Sequence, residues 1–100
     1  MSKSNVQPIW ADDRQSIRNE ISLPALIEAG PGNLCSVTIL NVSAHGAMIE
    51  SATQFVPGRP VTIDVGGAGR IAGRIAWTRE GHAGVVFATP LTLAQFEMIV

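Results

Sequence analysis

Charged residues and cysteine are both scarce in this chain of 100 residues. Charged side chains make up only 15% of the sequence, the net charge is −1 and the pI is about 6.0. Duplex nucleic acid is bound by a strongly basic face, so this composition argues against such a partner. The single cysteine, Cys35, cannot form an internal disulfide. We predict a buried thiol that packs as a small hydrophobic residue, which fits a reducing compartment.

Long apolar runs are absent as well. The opening residues, Met1 to Asn5, lack the apolar stretch of a signal peptide. No segment approaches the roughly 20 consecutive apolar residues that cross a bilayer. We therefore expect a cytoplasmic protein with no membrane span.

The sequence offers little material for catalysis or for metal binding. His45 and His82 are its two histidines, and each lies in a predicted turn, which favours surface positions over a metal pair. One cysteine and two histidines do not assemble into a specific nucleophile–base arrangement. The glycine-rich segment 66–69 lacks the Lys-Ser/Thr of a phosphate-binding loop and indicates a hairpin turn. We predict that the chain is not an enzyme and needs neither metal nor cofactor.

Residues 1–20 differ in texture from the rest of the chain. They are polar and show no sustained hydrophobic period, apart from Ile9 and Trp10. We predict a flexible N-terminal arm over residues 1–20, with one helical turn around residues 12–18. Residues 21–100 are then predicted to form one folded domain.

From residue 21 onwards the hydrophobic pattern is that of β-strands. Apolar and polar residues alternate in six short stretches, which is the period of two that half-buried strands show. Turn signals rich in glycine and proline separate the stretches. This spacing is typical of an antiparallel barrel rather than of alternating strands and helices. The predicted fold class is all-β, a six-stranded antiparallel barrel.

A short helix is predicted at the C-terminus. Thr92 and Gln95 match a capping box, in which the threonine caps the helix and the glutamine reaches back to it. Leu93, Phe96 and Val100 fall on one helical face, which we expect to pack against the barrel.

One predicted strand near the end of the barrel combines arginines with a tryptophan. Arg70, Arg74 and Arg79 are expected to form a solvated strand face and turn. Trp77, like Trp10, is expected to be a packing residue. An aromatic side chain near a ligand site could also stack on a base.

Two polar stretches supply the candidate binding residues. In the first, Arg14 and Arg18 stand four residues apart, and their guanidinium forks can hold a phosphate or the O6/N7 edge of guanine. The second is a turn in which Asn41, Ser43 and Gly46 lie between two apolar strands, a common place for recognition residues.

Each stretch also has an ordinary structural explanation. The two arginines can pair with the nearby carboxylates of Asp12, Asp13 or Glu20 in a solvated arm. The side chains of Asn41 and Ser43 can bond the local backbone, as such residues commonly do in turns.

Taken together, in this order and on this β pattern, the two stretches resemble the PilZ domain family. That family carries an Arg-x-x-x-Arg stretch before a small six-stranded barrel, and an Asp/Asn-x-Ser-x-x-Gly turn between the second and third strands. Here the two motifs read Arg14-Gln15-Ser16-Ile17-Arg18 and Asn41-Val42-Ser43-Ala44-His45-Gly46. The resemblance covers roughly residues 12–100.

The resemblance implies a receptor for cyclic di-GMP, a bacterial second messenger with two guanines and two phosphates. It implies that Arg14 and Arg18 contact guanine and phosphate, that Asn41 and Ser43 read a guanine edge or a phosphate, and that Gly46 keeps the turn open. It also implies an effector protein that receives the signal. The alternative is an adaptor of the same fold that binds no nucleotide and acts through protein–protein contacts.

Overall fold

The computed structural model describes residues 19–100. The arm predicted over residues 1–20, its helical turn and the candidate residues Arg14 and Arg18 therefore lie outside the described residues, apart from Asn19 and Glu20. The described chain contains the strands and helix β1 (Asn19–Glu28), β2 (Leu34–Val42), β3 (Gly46–Glu50), β4 (Pro60–Asp64), β5 (Arg70–Arg79), β6 (His82–Phe87) and α1 (Leu93–Ile99). A 3-10 turn, Gly66–Ala68, joins β4 to β5.

The strands form a closed antiparallel barrel in the order β1-β2-β3-β6-β5-β4. Most pairs join strands that follow each other in the chain, whereas β3 pairs with the distant β6. Closure depends on a short pairing of β1 with β4, which runs from Leu26 opposite Asp64 to Glu28 opposite Thr62. The predicted six-stranded all-β barrel is confirmed.

Inward-facing side chains from every strand fill the barrel. Fully buried isoleucines come from β1 to β5, and β6 adds a buried valine: Ile27, Ile39, Ile49, Ile63, Ile75 and Val85. These are the apolar positions of the period of two, because alternate residues of a strand point to the same face. Cys35 departs from the prediction, since it is only half-buried against the core. It lies near the start of β2, where the strand emerges from an exposed turn.

The capping box of α1 is present as predicted. The Thr92 Oγ1 atom accepts a hydrogen bond from the Gln95 backbone N–H at 3.0 Å, and Gln95 Oε1 accepts one from the Thr92 N–H at 2.9 Å. The helix packs beside the 3-10 turn that joins β4 to β5.

The predicted buried face of α1 is wrong in part. Leu93 and Val100 are 48% and 46% exposed, whereas Phe96 and Ile99 are buried. The residue before the cap, Leu91, is also buried, so that Leu91 and Phe96 occupy the two positions of a hydrophobic staple. A staple sets the angle at which the chain enters the helix, and here it accompanies an inward face made by Phe96 and Ile99.

Strand β6 lies very close to both of its neighbours. At one position of β3 and one of β5, there is no room for a side chain beside the β6 backbone. A β-carbon at Gly46 of β3 would overlap the carbonyl oxygen of Val85, and one at Gly73 of β5 would stand 2.5 Å from the carbonyl oxygen of Val86. The φ angle of Gly46 is not positive. Close approach of the β6 backbone, rather than a left-handed conformation, therefore requires glycine at position 46.

We predict that Gly46→Ala destabilises the protein by about 1–3 kcal/mol, because the new methyl group forces the β6 backbone to shift. Urea denaturation of the purified variant measures the loss. Gly67→Ala is the matched control, since its β-carbon would meet only the flexible end of the Met98 side chain. Equal unfolding midpoints for the two variants would contradict the packing explanation.

Candidate functional site

Half of the predicted recognition turn is strand in the structure. β2 runs to Val42 and β3 begins at Gly46, so Asn41 lies within β2 and only residues 43–45 form the loop. A backbone hydrogen bond from the Ser43 N–H to the Gly46 carbonyl oxygen closes the loop at 2.9 Å. The motif thus spans the end of one strand, a three-residue loop and the start of the next strand.

Two further backbone hydrogen bonds tie the loop to the last part of the chain. The His45 carbonyl oxygen accepts from the Phe87 N–H at 2.9 Å, and the Ala44 carbonyl oxygen accepts from the Leu91 N–H at 2.8 Å. The loop is therefore held from both sides, by its own strands and by the end of β6 with the segment that follows it. Such a loop presents its neighbours in a fixed arrangement.

Ser43 serves the loop itself. Its side chain is buried, with 2% of the residue exposed. The hydroxyl oxygen accepts from the His45 N–H at 3.3 Å and the hydroxyl lies 3.5 Å from the Gly46 carbonyl oxygen. These contacts match the structural alternative considered for this residue. A direct contact between Ser43 and a ligand remains a prediction.

Asn41 lies half-buried on the outer face of the barrel. Its register partners are Met48 on β3 and Glu20 on β1. Directly opposite residues of antiparallel strands place their side chains on the same face, about 4.5–5.5 Å apart. The amide of Asn41 is therefore flanked by a thioether on one side and by an exposed carboxylate on the other.

Asn41 and Met48 belong to a row of paired residues that runs across the sheet, through β6, to a tryptophan on β5. Met48 is opposite Gly84, and Gly84 is opposite Trp77 of β5. A β-carbon on Gly84 would overlap the Trp77 indole, so the ring lies directly over this glycine. Trp77 is 43% exposed, and it packs on the outside of the barrel.

A bulge explains why Trp77 does not follow the alternation that Ile71 and Ile75 obey. The register shifts between Ile75 and Trp77, where Ile75 is opposite Val85 and Trp77 is opposite Gly84. The additional residue turns the next side chain to the other face of the strand. In the sequence, the outward position of the indole is indicated only by Trp77 on β5 and Gly84 on the paired strand β6.

Trp77 and Met48 line an open concavity of about 420 Å³ together with Arg79, Glu80 and His82. We call this feature the hairpin concavity, because the last three residues belong to the β5–β6 hairpin. The His82 Nε2 atom lies 3.9 Å from the Glu50 carboxylate. The concavity therefore combines an aromatic plane with groups of both charges.

Arg70, Arg74 and Arg79 are all exposed, as predicted, but they fall into two groups by their partners. Arg70 forms an ion pair of 2.6 Å with Glu28, and this hydrogen bond together with one from the Gly32 N–H lowers the pKa of that carboxyl group. Arg74 and Arg79 are exposed and make no ion pair with any residue in the described part of the chain.

The structure thus brings together Asn41, Ser43 and Gly46, three of the five predicted site residues, while Arg14 and Arg18 lie outside its range. Within residues 19–100, no group of three potential metal ligands lies close together. Over the same residues, α1 is far too short to cross a membrane and no other helix is long and apolar enough.

Comparison with known proteins agrees with the fold. The crystal structure of the PilZ domain of CeSA from a cellulose-synthesizing bacterium is similar, with a TM-score of 0.64 and 18% identity, over 84% of this chain and 91% of that chain. No curated protein sequence matches the chain. The family model of the PilZ domain matches residues 12–100, a range that includes both motif stretches. The chain therefore belongs to the PilZ domain family, a family that binds cyclic di-GMP.

Proposed function

We propose that this protein is a receptor for cyclic di-GMP, which binds on the outer face of the barrel beside the β2–β3 loop and signals to an effector protein. The observation that carries the proposal is the position of Asn41, which β2 holds on the outer face beside the held loop, within a chain that has both family motifs. A recognition group on a rigid scaffold loses little conformational entropy on binding.

The chemistry around Asn41 suits a guanine edge. An amide both donates and accepts hydrogen bonds. The neighbouring carboxylate of Glu20 can accept from the ring N–H and amino group of guanine. Asn41 and Glu20 together therefore offer the mixed pattern that a guanine edge requires.

The point at which the chain enters the barrel favours a role for the arginines. β1 begins at Asn19, which is opposite Val42 at the end of β2. Arg18 is the residue that precedes Asn19 in sequence, so the motif is connected to the barrel beside the loop. In the proposed complex, Arg14 and Arg18 donate bidentate hydrogen bonds to phosphate oxygens or to the O6/N7 edge of guanine.

Trp77 offers a plane on which a base can stack. Its indole is accessible above Gly84, and only Met48 separates it from Asn41 along the row of paired residues. Stacking of a base on an aromatic side chain contributes about 1–3 kcal/mol. We assign this role to Trp77 within the proposed site.

An adaptor that binds no nucleotide is the second candidate. The engaged hydroxyl of Ser43 favours it, because that group already has partners within the loop. The acidic pair Asp12 and Asp13 favours it as well, since two carboxylates directly before Arg14 oppose an anionic ligand. Such a protein would act only through contacts of its surface with another protein.

Isothermal titration calorimetry with purified protein and cyclic di-GMP separates the two candidates. We predict that wild-type protein binds and that Arg14→Ala and Arg18→Ala each weaken binding roughly ten- to a hundredfold, because each removes charge-assisted hydrogen bonds worth about 1.5–3 kcal/mol. Arg59→Ala is the control, since the Arg59 side chain bonds the carbonyl oxygen of Ala29, which follows the end of β1 opposite to the one beside the loop. Absence of heat with the wild type would support the adaptor.

Asp13→Arg should tighten the binding of cyclic di-GMP, because it removes a negative charge beside Arg14 and adds a donor for phosphate. The gain should diminish as ionic strength rises, since the Debye length is about 10 Å at 0.1 M salt and shortens further at higher salt, which weakens interactions between exposed charges. Titrations at low and high salt measure both effects. Unchanged affinity at low salt would show that the side chain of Asp13 does not face the ligand.

A further inference from the structure

The hairpin concavity adjoins the motif surface without belonging to either family motif. Met48 provides the connection, because it lines the concavity and is also the register partner of Asn41. A ligand with two purines that places one beside Asn41 can therefore extend its other purine across β3 towards the β5–β6 hairpin.

The size and the apolar walls of the concavity suit a nucleobase. Its volume of about 420 Å³ falls within the range of small-molecule sites. The exposed plane of Trp77 can stack on any base, and the Met48 thioether supplies an adaptable apolar wall beside it. These two groups do not distinguish guanine from adenine.

The charged groups of the hairpin do make that distinction. Arg79 can donate two hydrogen bonds to the O6 and N7 acceptors of guanine. The Glu80 carboxylate can accept from the ring N–H and the amino group on the opposite side of the base. Adenine presents a lone pair at N1 and no O6 acceptor, so the same two residues disfavour it.

The backbone at Glu80 indicates that its side chain is not there for stability. Arg79 and His82 are paired, so Glu80 and Gly81 form a two-residue hairpin turn, with φ values of 48° and 83°. Positive φ at both positions defines a type I′ turn, in which asparagine or glycine is favoured first. Glu80 is the only non-glycine residue with positive φ among residues 19–100. Its carboxylate makes no hydrogen bond or ion pair with the described residues.

We propose that the hairpin concavity is a guanine-selective subsite, in which Glu80 and Arg79 read the second guanine of cyclic di-GMP while it lies on Trp77. This inference rests on the proposed function. It assigns specificity to two residues outside the motifs and explains why a glutamate occupies a turn position that favours asparagine.

The decisive variant is Glu80→Asn, which removes the guanine-reading carboxylate and gives the turn its preferred residue. We expect its affinity for cyclic di-GMP to fall roughly ten- to a hundredfold. We also expect the ratio of its affinities for cyclic di-GMP and cyclic di-AMP to decrease. We also expect its unfolding temperature to rise by a few degrees, because asparagine adopts positive φ more readily. A purely structural role for Glu80 cannot produce weaker binding together with higher stability.

Arg79→Ala should weaken cyclic di-GMP binding in the same way. The matched control is Arg74→Ala, an exposed arginine of the same strand that is opposite Val86 and does not line the concavity. Calorimetry with both cyclic dinucleotides measures affinity and preference for each variant.

Fluorescence locates the base independently. The chain has two tryptophans and no tyrosine, so Trp10→Phe leaves Trp77 as the single strong emitter. Cyclic di-GMP should change the Trp77 emission of this variant on stacking. In Trp77→Phe, the same nucleotide should bind more weakly.

Two results overturn the inference in distinguishable ways. In the first, wild-type protein binds cyclic di-GMP and Arg14→Ala weakens that binding, but Glu80→Asn and Arg79→Ala bind both nucleotides as well as the control Arg74→Ala does. The subsite is then refuted and the receptor function stands. If wild-type protein binds no cyclic di-GMP, the receptor function and the subsite fail together.

Discussion

The close approach of β6 to its two neighbours is the constraint on which the rest of the structure depends. β3 and β5 present glycines to the β6 backbone at positions 46 and 73, where a β-carbon would meet a carbonyl oxygen. The pairing of β3 with β6 also joins the two halves of the barrel, β1-β2-β3 and β4-β5-β6, which the pairing of β1 with β4 then closes. The same closeness anchors the β2–β3 loop. The end of β6 and the segment after it lie near enough to donate hydrogen bonds to the carbonyl oxygens of the loop.

Two of the three register shifts among the described strands then decide how the candidate recognition residues face solvent. One lies between Ile39 and Asn41 in β2, and the other between Ile75 and Trp77 in β5. Each shift follows a buried isoleucine and precedes a residue that lies on the outer face. Since bulges are common where a strand has to re-aim a side chain, the two candidate recognition residues owe their direction to irregularities of the sheet.

The barrel itself could be predicted from the sequence because burial enforces a period of two. The buried residues Ile27 and Ile63 follow that pattern in strands whose pairing is regular around them. Trp77 could not be placed by the pattern, because a bulge leaves no mark in hydrophobic periodicity. The inward face of α1 was missed for a similar reason. Its orientation accompanies the burial of Leu91, a residue before the helix that helical periodicity does not consider.

The candidate site was only partly predictable, because some residues of a motif serve the fold and others serve ligand binding. Gly46 admits the β6 backbone and Ser43 bonds the loop, so both act on the fold whether or not a ligand is present. Asn41 alone of the three lies on the outer face beside an exposed carboxylate. A short motif can thus fix the platform while leaving part of the specificity to side chains elsewhere on the barrel.

In the proposed subsite, Glu80 is an example of a specificity residue that lies outside the motifs. A hairpin turn tolerates an unfavourable residue at a modest cost in stability, since the β5–β6 pairing on both sides holds the turn in place. Core positions such as Ile75 have no comparable freedom, because any change there alters the packing of the barrel. Turns that border a recognition surface are therefore the positions at which a barrel of this kind can acquire new ligand preferences without losing its fold.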